Sequence, residues 1–457
     1  MEPFIIHEKD NVCVDLQTGH KTALCDIEKG TDIIKYGFPI GVATEAVSKG
    51  DAVHSHNMKT KLGDILSYEY KPDFTALPKK EPFTIRAFVR KNGDIGIRND
   101  IFIVPTVGCV NSIAKTLSEK TGAICFSHPY GCSQLGDDMK ITQLILRGLI
   151  NHPNAGGVLV LGLGCENNNI PEMKKVLGTW DETRVRFLSV QDCEDEIEEG
   201  TKLIEALQKN AATDQRQEVP VSNLKIGLKC GGSDGFSGIT ANAVVGRVTD
   251  ELCAMGASAV LTEVPEMFGA ETVLFQRCVN EDVFNRSVAL INNFKQYFKD
   301  HNQPVSENPS PGNKDGGITT LEEKSLGCIQ KGGTAPVVDV LDYGDTVRKA
   351  GLHLLNGPGN DIVSVTNLAA VGCHMVLFTT GRGTPLGGAV PTVKIASNNQ
   401  IANKKSHWID YSAFGFDKDE KAKELLELIK RVANGEKTKN ELCGNREIAI
   451  FKDGVTL

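Results

Sequence analysis

From about residue 83 onward, short apolar segments alternate with segments of helical periodicity, and this alternation constrains the fold more than any other feature of the chain. Aliphatic runs predict buried strands at 101–104, 123–126, 158–161, 224–228, 259–261 and 375–378. Helical spacing of apolar residues occurs near 111–120, 138–150, 195–209, 243–255, 280–299 and 419–433. Continuously apolar strands that alternate with helices are typical of a parallel sheet covered on both faces. The sequence therefore predicts an α/β fold with mainly parallel sheets and helices on both faces.

The region before residue 83 has a different pattern. Residues 1–70 contain short alternating strands separated by glycines, which predicts a small all-β module. Residues 71–82 carry three prolines and few apolar residues, and they predict a linker. A polar segment at 211–220 divides the remainder, so we expect a first α/β catalytic domain at 83–217 and a second at 218–457.

Charge and composition exclude several classes of protein. The 457 residues include 50 Lys and Arg against 58 Asp and Glu, a net charge of −8, so no basic field exists to hold nucleic acid or an anionic membrane surface. No apolar run approaches the ~20 residues of a membrane span, and the first residues resemble neither a signal nor a transit peptide. The 13 cysteines lack the spacing of a disulfide scaffold. We therefore expect a cytoplasmic protein with reduced thiols.

Polar, glycine-rich loops follow five of the predicted strands, and they begin at Ser127, Gly162, Cys230, Thr262 and Thr379. In open α/β sheets, ligands bind beyond the carboxyl ends of the strands, where such loops converge. The sequence therefore predicts a small-molecule site built from these loops.

Three cysteines lie in glycine-rich turns: Cys132, Cys165 and Cys230. Glycine beside a thiol clears side-chain bulk and lets the backbone approach a ligand or a metal. Three thiolates can bind iron and leave one position open for a substrate, although buried thiols beside tight turns are the alternative. His54 and His56 form an i, i+2 pair that would face one metal on a strand, or a solvated pair in a loop.

The same loops supply candidates for acid–base catalysis. His128 is either a ligand or general acid/base, or a core histidine bonded to the backbone. The carboxylates Glu166, Asp234 and Glu263 could act as bases, or instead cap helices and bind turn amides. Lys314 is either a base or a surface residue in a lid.

Arg382 stands between two glycines, which leaves its guanidinium unobstructed for bidentate capture of a substrate carboxylate. We expect neighbouring positions of the glycine-rich loops to line the same substrate site: Ser233, Asn313, Thr380, Gly381 and Gly383.

Taken together, these motifs resemble the altronate/galactarate dehydratase family over essentially the whole chain. The matching segments are 54–57, 126–138, 162–168, 230–235 with 237–242, 261–271, 308–317 with 321–322, and 378–385. The histidine pair and the sequence at 133–138 resemble the altronate branch of the family. Ala243 departs from the proline usual in the family and affects the start of a helix.

The resemblance implies a hydro-lyase that dehydrates D-altronate to 2-dehydro-3-deoxy-D-gluconate in hexuronate breakdown. It implies a divalent metal, with Fe²⁺ favoured and Mn²⁺ as the alternative, and an N-terminal β-clip domain of the SAF type. Galactarate or sulfolactate as substrate, and a non-catalytic sugar-acid-binding protein on the same fold, are the alternatives. A homo-oligomer is compatible with the sequence.

Removal of a proton next to a carboxylate creates a second negative charge, which a metal or a guanidinium must stabilise. We expect iron to bind the substrate, Arg382 to hold its carboxylate, and His128 to protonate the departing hydroxyl. The base is left open among Lys314, Glu166, Asp234 and Glu263. The iron is either a single ion held by histidine and carboxylate, or an iron–sulfur cluster on Cys132, Cys165 and Cys230.

Overall fold

The computed structural model describes residues 4–63, 65–415 and 417–457. Within residues 4–63, the N-terminal module consists of two antiparallel sheets with strand orders β1-β2-β5 and β3-β4-β6. The strands are β1 (Val12–Val14), β2 (Lys21–Ala23), β3 (Asp32–Lys35), β4 (Phe38–Ala43), β5 (Ala52–Val53) and β6 (Met58–Lys59). Fully buried side chains such as Ile33 and Ile40 form its core.

The first α/β region contains a parallel sheet of order β10-β9-β11-β12. Its elements are β7 (Thr84–Val89), β8 (Ile95–Gly96), β9 (Asp100–Pro105), α1 (Asn111–Thr121), β10 (Ile124–Cys125), α2 (Gly136–Ile150), β11 (Ala155–Gly162), α3 (Ile170–Leu177), β12 (Val185–Ser189) and α4 (Glu196–Ala211). Every residue of β11 is buried, as expected for a central strand covered on both faces.

The second α/β region contains a larger parallel sheet of order β16-β17-β15-β14-β18-β19-β20. Its strands are β13 (Arg216–Pro220), β14 (Lys225–Cys230), β15 (Ser258–Leu261), β16 (Val337–Leu341), β17 (Gly351–Leu355), β18 (Met375–Thr380), β19 (Thr392–Ala396) and β20 (Tyr411–Ser412). Its helices are α5 (Ala241–Ala254), α6 (Glu271–Phe275), α7 (Glu281–Asp300), α8 (Pro311–Asp315), α9 (Leu321–Cys328), α10 (Asp361–Ala370), α11 (Asn399–Lys404), α12 (Lys418–Ala433) and α13 (Lys439–Leu442). The predicted fold class is confirmed.

Strand β13 is one of several strands that the apolar runs of the sequence did not predict. The polar segment at 211–220 was expected to separate the two α/β regions, but β13 pairs antiparallel with β7 in a small sheet that joins them. Only Val219 of β13 is buried, so the strand has no apolar signal. The apolar runs also missed four strands of the parallel sheets, β12, β16, β17 and β19. A charged residue or a histidine interrupts each of them: Arg186, Asp339, His353 and Lys394.

Helices α2 and α10 pack against each other and share a hydrophobic core with both parallel sheets. Their last turns meet so closely that a Cβ at Gly148 would overlap the carbonyl oxygen of Ala370. The turns that follow the two helices also meet, since His152 Nε2 contacts Cys373 O at 3.1 Å.

The N-terminal module is fixed to the second α/β region by a buried ion network. Glu323, on α9, accepts hydrogen bonds from Lys21 and Lys35 of the module, both at 2.8 Å. Lys21 also donates to the carbonyl oxygen of Gly317 at 2.8 Å. The module therefore forms one wall of the region around α9 and the loop before it.

The segment predicted as a linker lies against the second α/β region and contains no helix or strand among its described residues. The Asp73 amide donates to Gln276 O at 2.8 Å, and the Lys80 amide donates to Ala254 O at 2.9 Å. Across all the described residues, the structure contains no helix that is both long and apolar enough to cross a bilayer.

Candidate functional site

The site lies at the carboxyl edge of the larger sheet. Strands β15, β14 and β18 are neighbours, so the loops that follow them lie side by side. Glu263 and Arg382 lie in the loops after β15 and β18, and Cys230 is the last residue of β14. In this sheet, the polar, glycine-rich loops lie together at the carboxyl ends of the strands, as the sequence analysis expects.

The predicted substrate-binding residues belong to loops that hydrogen bond to one another: Arg382, Ser233, Asn313, Thr380, Gly381 and Gly383. Asn313 Nδ2 donates to Ser233 O at 2.8 Å, which ties α8 to the loop after β14. The Gly381 amide donates to Gly232 O at 3.1 Å. A Cβ at Gly381 would overlap the carboxyl group of Asp234, so this contact requires glycine.

Arg382 is the exposed member of this set, whereas Ser233 and Thr380 are buried. Its Nη1 donates to Gly312 O at 3.3 Å, so the guanidinium bridges two loops at the surface of the site. This position suits the predicted capture of a substrate carboxylate.

Cys230, Glu266 and Cys328 form a compact buried group behind these loops. The two Sγ atoms lie 3.3 Å apart, and Glu266 Oε2 lies 3.2 Å from Cys230 Sγ and 3.1 Å from Cys328 Sγ. Among the described residues, it is the one group of three or more potential ligands whose ligand atoms all lie within 4.8 Å of one another. It is therefore a candidate metal centre.

Three buried lysines surround this group. Lys331 Nζ donates to Cys230 Sγ at 2.9 Å, and Lys324 Nζ donates to Glu266 Oε1 at 2.9 Å. Lys229, fully buried, forms an ion pair with Glu263 and a second with Asp361 at 2.8 Å. Positive charge in a low-dielectric interior creates a strong field at this edge of the sheet.

The lysines and the thiol pair shift the pKa values of the group. The hydrogen bond with Cys328 and the charge of Lys331 lower the pKa of Cys230 to about 6, although burial opposes them. Burial would raise the pKa of Glu266, but the charges of the surrounding lysines, Lys324 foremost, lower it to about 2. Cys230 and Glu266 are therefore anionic at neutral pH.

Glu263 behaves differently from Glu266. Burial, with the charges of Cys230 and Glu266, raises its pKa, so it accepts a proton more readily than an ordinary carboxylate. Its backbone has φ of 71°, an uncommon conformation for a residue with a side chain. In this conformation Oε2 accepts the Cys230 amide at 2.9 Å.

The structure gives His128 and Glu166 structural contacts. His128 Nε2 contacts Pro105 O at 2.8 Å, and its Nδ1 accepts the Tyr130 amide at 3.2 Å, so both ring nitrogens are bound by the backbone. Glu166 accepts from Thr106 Oγ1 at 2.7 Å and from the amides of Leu163 and Gly164. This geometry does not support acid–base roles for these two residues.

Asp234 and Lys314 border the predicted substrate loops. Asp234 accepts from Ser237, Ser397 and Asn398, each at 2.8 Å, which fixes its carboxylate as an anchor of the loop. Lys314 has an exposed side chain, and its carbonyl oxygen lies 2.9 Å from His54 Nε2.

The predicted histidine pair lies in a turn. Strand β5 ends at Val53 and β6 begins at Met58, so His54 and His56 do not share the face of a strand. His54 contacts Lys314 O on α8 and Thr319 Oγ1 in the loop before α9, whereas His56 is exposed. The expectation that both imidazoles face one metal from a strand is therefore wrong.

The structure does not bring Cys132, Cys165 and Cys230 together. Cys132 and Cys165 are exposed at the edge of the first sheet, whereas Cys230 is buried in the second region beside Cys328. The sequence reasoning missed Cys328 and the buried lysines. One signal was present, because Lys229 interrupts the apolar strand that ends at Cys230.

At the carboxyl edge of the larger parallel sheet, a guanidinium is exposed and a cluster of lysines, carboxylates and thiols is buried. These features define an enzyme site for a small anionic molecule. Family models match three parts of the chain. They are the Altronate/galactarate dehydratase SAF domain at 12–61, the D-galactarate dehydratase/Altronate hydrolase second domain at 87–212, and the D-galactarate/Altronate dehydratase C-terminal domain at 221–456.

Full-length relatives agree with these matches. The chain is 53% identical to an altronate dehydratase of Bacillus subtilis and 51% identical to one of Escherichia coli, in each case over 97% of this chain and 93% of the relative. It is 32% identical to a galactarate dehydratase (L-threo-forming) of Escherichia coli, over 95% of this chain and 89% of that protein. The chain belongs to the altronate/galactarate dehydratase family.

Proposed function

We propose that this enzyme removes water from D-altronate to give 2-dehydro-3-deoxy-D-gluconate, a step in hexuronate breakdown. The observation that carries the proposal is the identity of 53% and 51% to two altronate dehydratases, against 32% to a galactarate dehydratase. A sugar acid also matches the site, which offers the exposed guanidinium of Arg382 for a carboxylate.

The chemistry requires stabilisation of the charge that develops when the C2 proton leaves. We assign the substrate carboxylate to Arg382, because its guanidinium is exposed where the loop after β18 meets α8. The buried ammonium groups of Lys229, Lys324 and Lys331 then stabilise the enediolate through their field.

Glu263 is our choice for the base. Its raised pKa means that it accepts a proton more readily than an ordinary carboxylate, and Lys229 holds its carboxylate in place. The other three candidates fit less well, since Glu166 and Asp234 are bound on several sides and Lys314 points to solvent. Protonation of the leaving hydroxyl at C3 gives an enol that tautomerises to the 2-keto acid.

We propose that the enzyme depends on a divalent metal, Fe²⁺ in preference to Mn²⁺, which supplies Lewis-acid stabilisation of negative charge. The sulfur atoms of Cys230 and Cys328 and the carboxylate of Glu266 would be suitable donors for one ion. Lys331 and Lys324, however, already donate to two of these ligands and repel a cation. Because these lysines oppose the binding of a cation, iron at a second location should also be tested.

Several sequence-based expectations remain part of the proposal. These are the domain limits at 70, 82 and 217, the cytoplasmic location, and a homo-oligomer. Size-exclusion chromatography with light scattering measures the oligomeric state directly.

The test is a substrate panel with the enzyme purified without oxygen and supplied with Fe²⁺ or Mn²⁺. We expect 2-keto acid formation from D-altronate, with a far lower kcat/KM for galactarate and sulfolactate. Preferred turnover of either competitor would reassign the substrate within the family. Binding of D-altronate without turnover, measured by calorimetry, would show a sugar-acid-binding protein instead.

A further inference from the structure

A third glycine–cysteine turn lies beside the two that the sequence reasoning singled out in the first α/β region. Cys109, Cys132 and Cys165 each directly follow a glycine. They lie in the loops that follow β9, β10 and β11, which are adjacent in the sheet order β10-β9-β11. Parallel strands end at the same edge, so these three loops are neighbours in space.

Hydrogen bonds join the three loops to one another. The Gly108 amide donates to Tyr130 O at 2.9 Å, which links the loop of Cys109 to the loop of Cys132. The Ser133 amide donates to Asn167 Oδ1 at 2.9 Å, which links the loop of Cys132 to the loop of Cys165. The cysteines therefore project from one connected platform.

The glycines before the cysteines make this packing possible. A Cβ at Gly131 would overlap the carbonyl oxygen of Thr106, and a Cβ at Gly108 would lie 2.9 Å from His128 O. Thr106 and His128 belong to neighbouring loops of the platform, so each glycine allows a close backbone approach. The backbone-bound imidazole of His128 and the anchored carboxylate of Glu166 stiffen the same platform.

The thiols of the platform are exposed, although the chain buries several others: Cys13, Cys230, Cys278, Cys328 and Cys373. Cys165 Sγ accepts from Gln191 Nε2 at 3.5 Å, and Cys132 Sγ lies 3.8 Å from Ser133 Oγ. These contacts are long, and both thiols remain accessible for coordination.

The three sulfur atoms are not close enough together to hold a single ion in this structure. They do not all lie within 4.8 Å of one another, in contrast to the ligand atoms of Cys230, Glu266 and Cys328. An iron–sulfur cluster places its iron atoms between the cysteines and so tolerates more widely spaced thiolates. No lysine or arginine contact is described for these three thiols, unlike Cys230 with its Lys331.

We infer that Cys109, Cys132 and Cys165 hold an iron–sulfur cluster at the carboxyl edge of the first sheet. Three protein thiolates leave one iron of a four-iron cluster without a cysteine ligand. Its use in catalysis rests on the proposed dehydration, but its assembly does not.

The experiment measures iron and acid-labile sulfide in full-length protein purified without oxygen, together with visible absorption and electron paramagnetic resonance after reduction. Variants Cys109→Ser, Cys132→Ser and Cys165→Ser are each expected to lose most of the bound sulfide and the visible absorption. Cys25→Ser and Cys443→Ser are matched controls, since both residues are exposed elsewhere, and they should keep the wild-type content. Circular dichroism checks that each variant is folded.

A second measurement needs no variant. In the wild-type protein as isolated, the three thiols should resist alkylation while Cys25 and Cys443 react, and removal of iron with a chelator should expose all five to modification. Mass spectrometry identifies the labelled residues.

Two outcomes would overturn the inference. Iron bound without sulfide would show a single ion. A cluster that survives Cys109→Ser and is lost in Cys230→Ser would return the site to Cys132, Cys165 and Cys230. Neither readout depends on turnover, so an intact cluster with no activity on D-altronate would contradict the proposed function alone.

Discussion

Replacement of Glu323 by glutamine tests how the N-terminal module is held in place. The side chains of Glu323, Lys21 and Lys35 are each at most 1% exposed, and both ion pairs measure 2.8 Å. Glutamine keeps the shape of the side chain and removes its charge. Two buried ammonium groups then face each other without a counter-ion, which is the costly way to break a buried ion pair.

The magnitude follows from the pKa of Glu323. Burial acts to raise it, but Lys21 and Lys35 outweigh burial and lower it from 4.5 to about 2. A difference of this size corresponds to about 3 kcal/mol of stability, and loss of one partner of a buried pair costs about 3–5 kcal/mol. Because the pKa is depressed, this contribution is complete above pH 4.5 and is lost as the pH falls toward 2.

The assay combines calorimetric unfolding at neutral pH with limited proteolysis of the segment at 61–83. We expect Glu323→Gln to lower the unfolding temperature and to speed cleavage. Lys61→Gln is the matched control, because its ion pair with Asp32 is exposed, at 52% and 36% of the two side chains, and should contribute at most about 1 kcal/mol. If both variants unfold at the same temperature, the ion network does not hold the module. Adding Lys35→Met to Glu323→Gln should restore part of the loss.

Three further predictions concern pH and the site. Burial lowers the pKa of His152 from 6.5 to about 4, so the unfolded chain takes up a proton at a higher pH than the folded chain does. The free energy of unfolding should therefore fall as the pH is lowered from 6.5 to 4, and calorimetry of His152→Gln should show a flatter pH profile. Gly381→Ala should raise KM and lower stability because its Cβ overlaps Asp234, whereas Gly63→Ala, with open space around it, should match the wild type in both assays. Arg382→Lys should raise KM about tenfold with a smaller change in kcat, since it removes a charge-assisted hydrogen bond of about 1.5 kcal/mol; an unchanged KM would place the substrate carboxylate elsewhere.

Sequence patterns predicted many of the helices and strands, because the periodicity of apolar residues is a property of each segment by itself. The expected helix at 280–299 is α7 at Glu281–Asp300, and the expected strand at 224–228 overlaps β14 at Lys225–Cys230. Strand β13 was missed because its stability comes from pairing with β7 and not from apolar residues of its own.

The site was predicted in part for the same reason. The loops of Arg382, Asn313 and Ser233 were recognisable from glycine-rich motifs, and the structure brings them together. The buried charged residues behind these loops were not recognisable, because charged residues such as Lys324 and Glu323 are normally expected at exposed positions of a helix. All eight residues of α9 are buried, since its charges are paired with residues distant in the chain. Sequence periodicity does not record such pairing.

The ion network around Glu323 also orders the events of folding. Lys21 and Lys35 meet their counter-ion across 302 and 288 residues, respectively. During synthesis the N-terminal strands leave the ribosome first, and their two lysines stay hydrated until α9 has emerged. Docking of the module therefore comes after synthesis of most of the second α/β region, and it completes the wall of the site only then. A nascent chain that stalls before α9 exposes the β module without the surface against which it packs. Docking of the module therefore requires that the chain has been synthesised through α9.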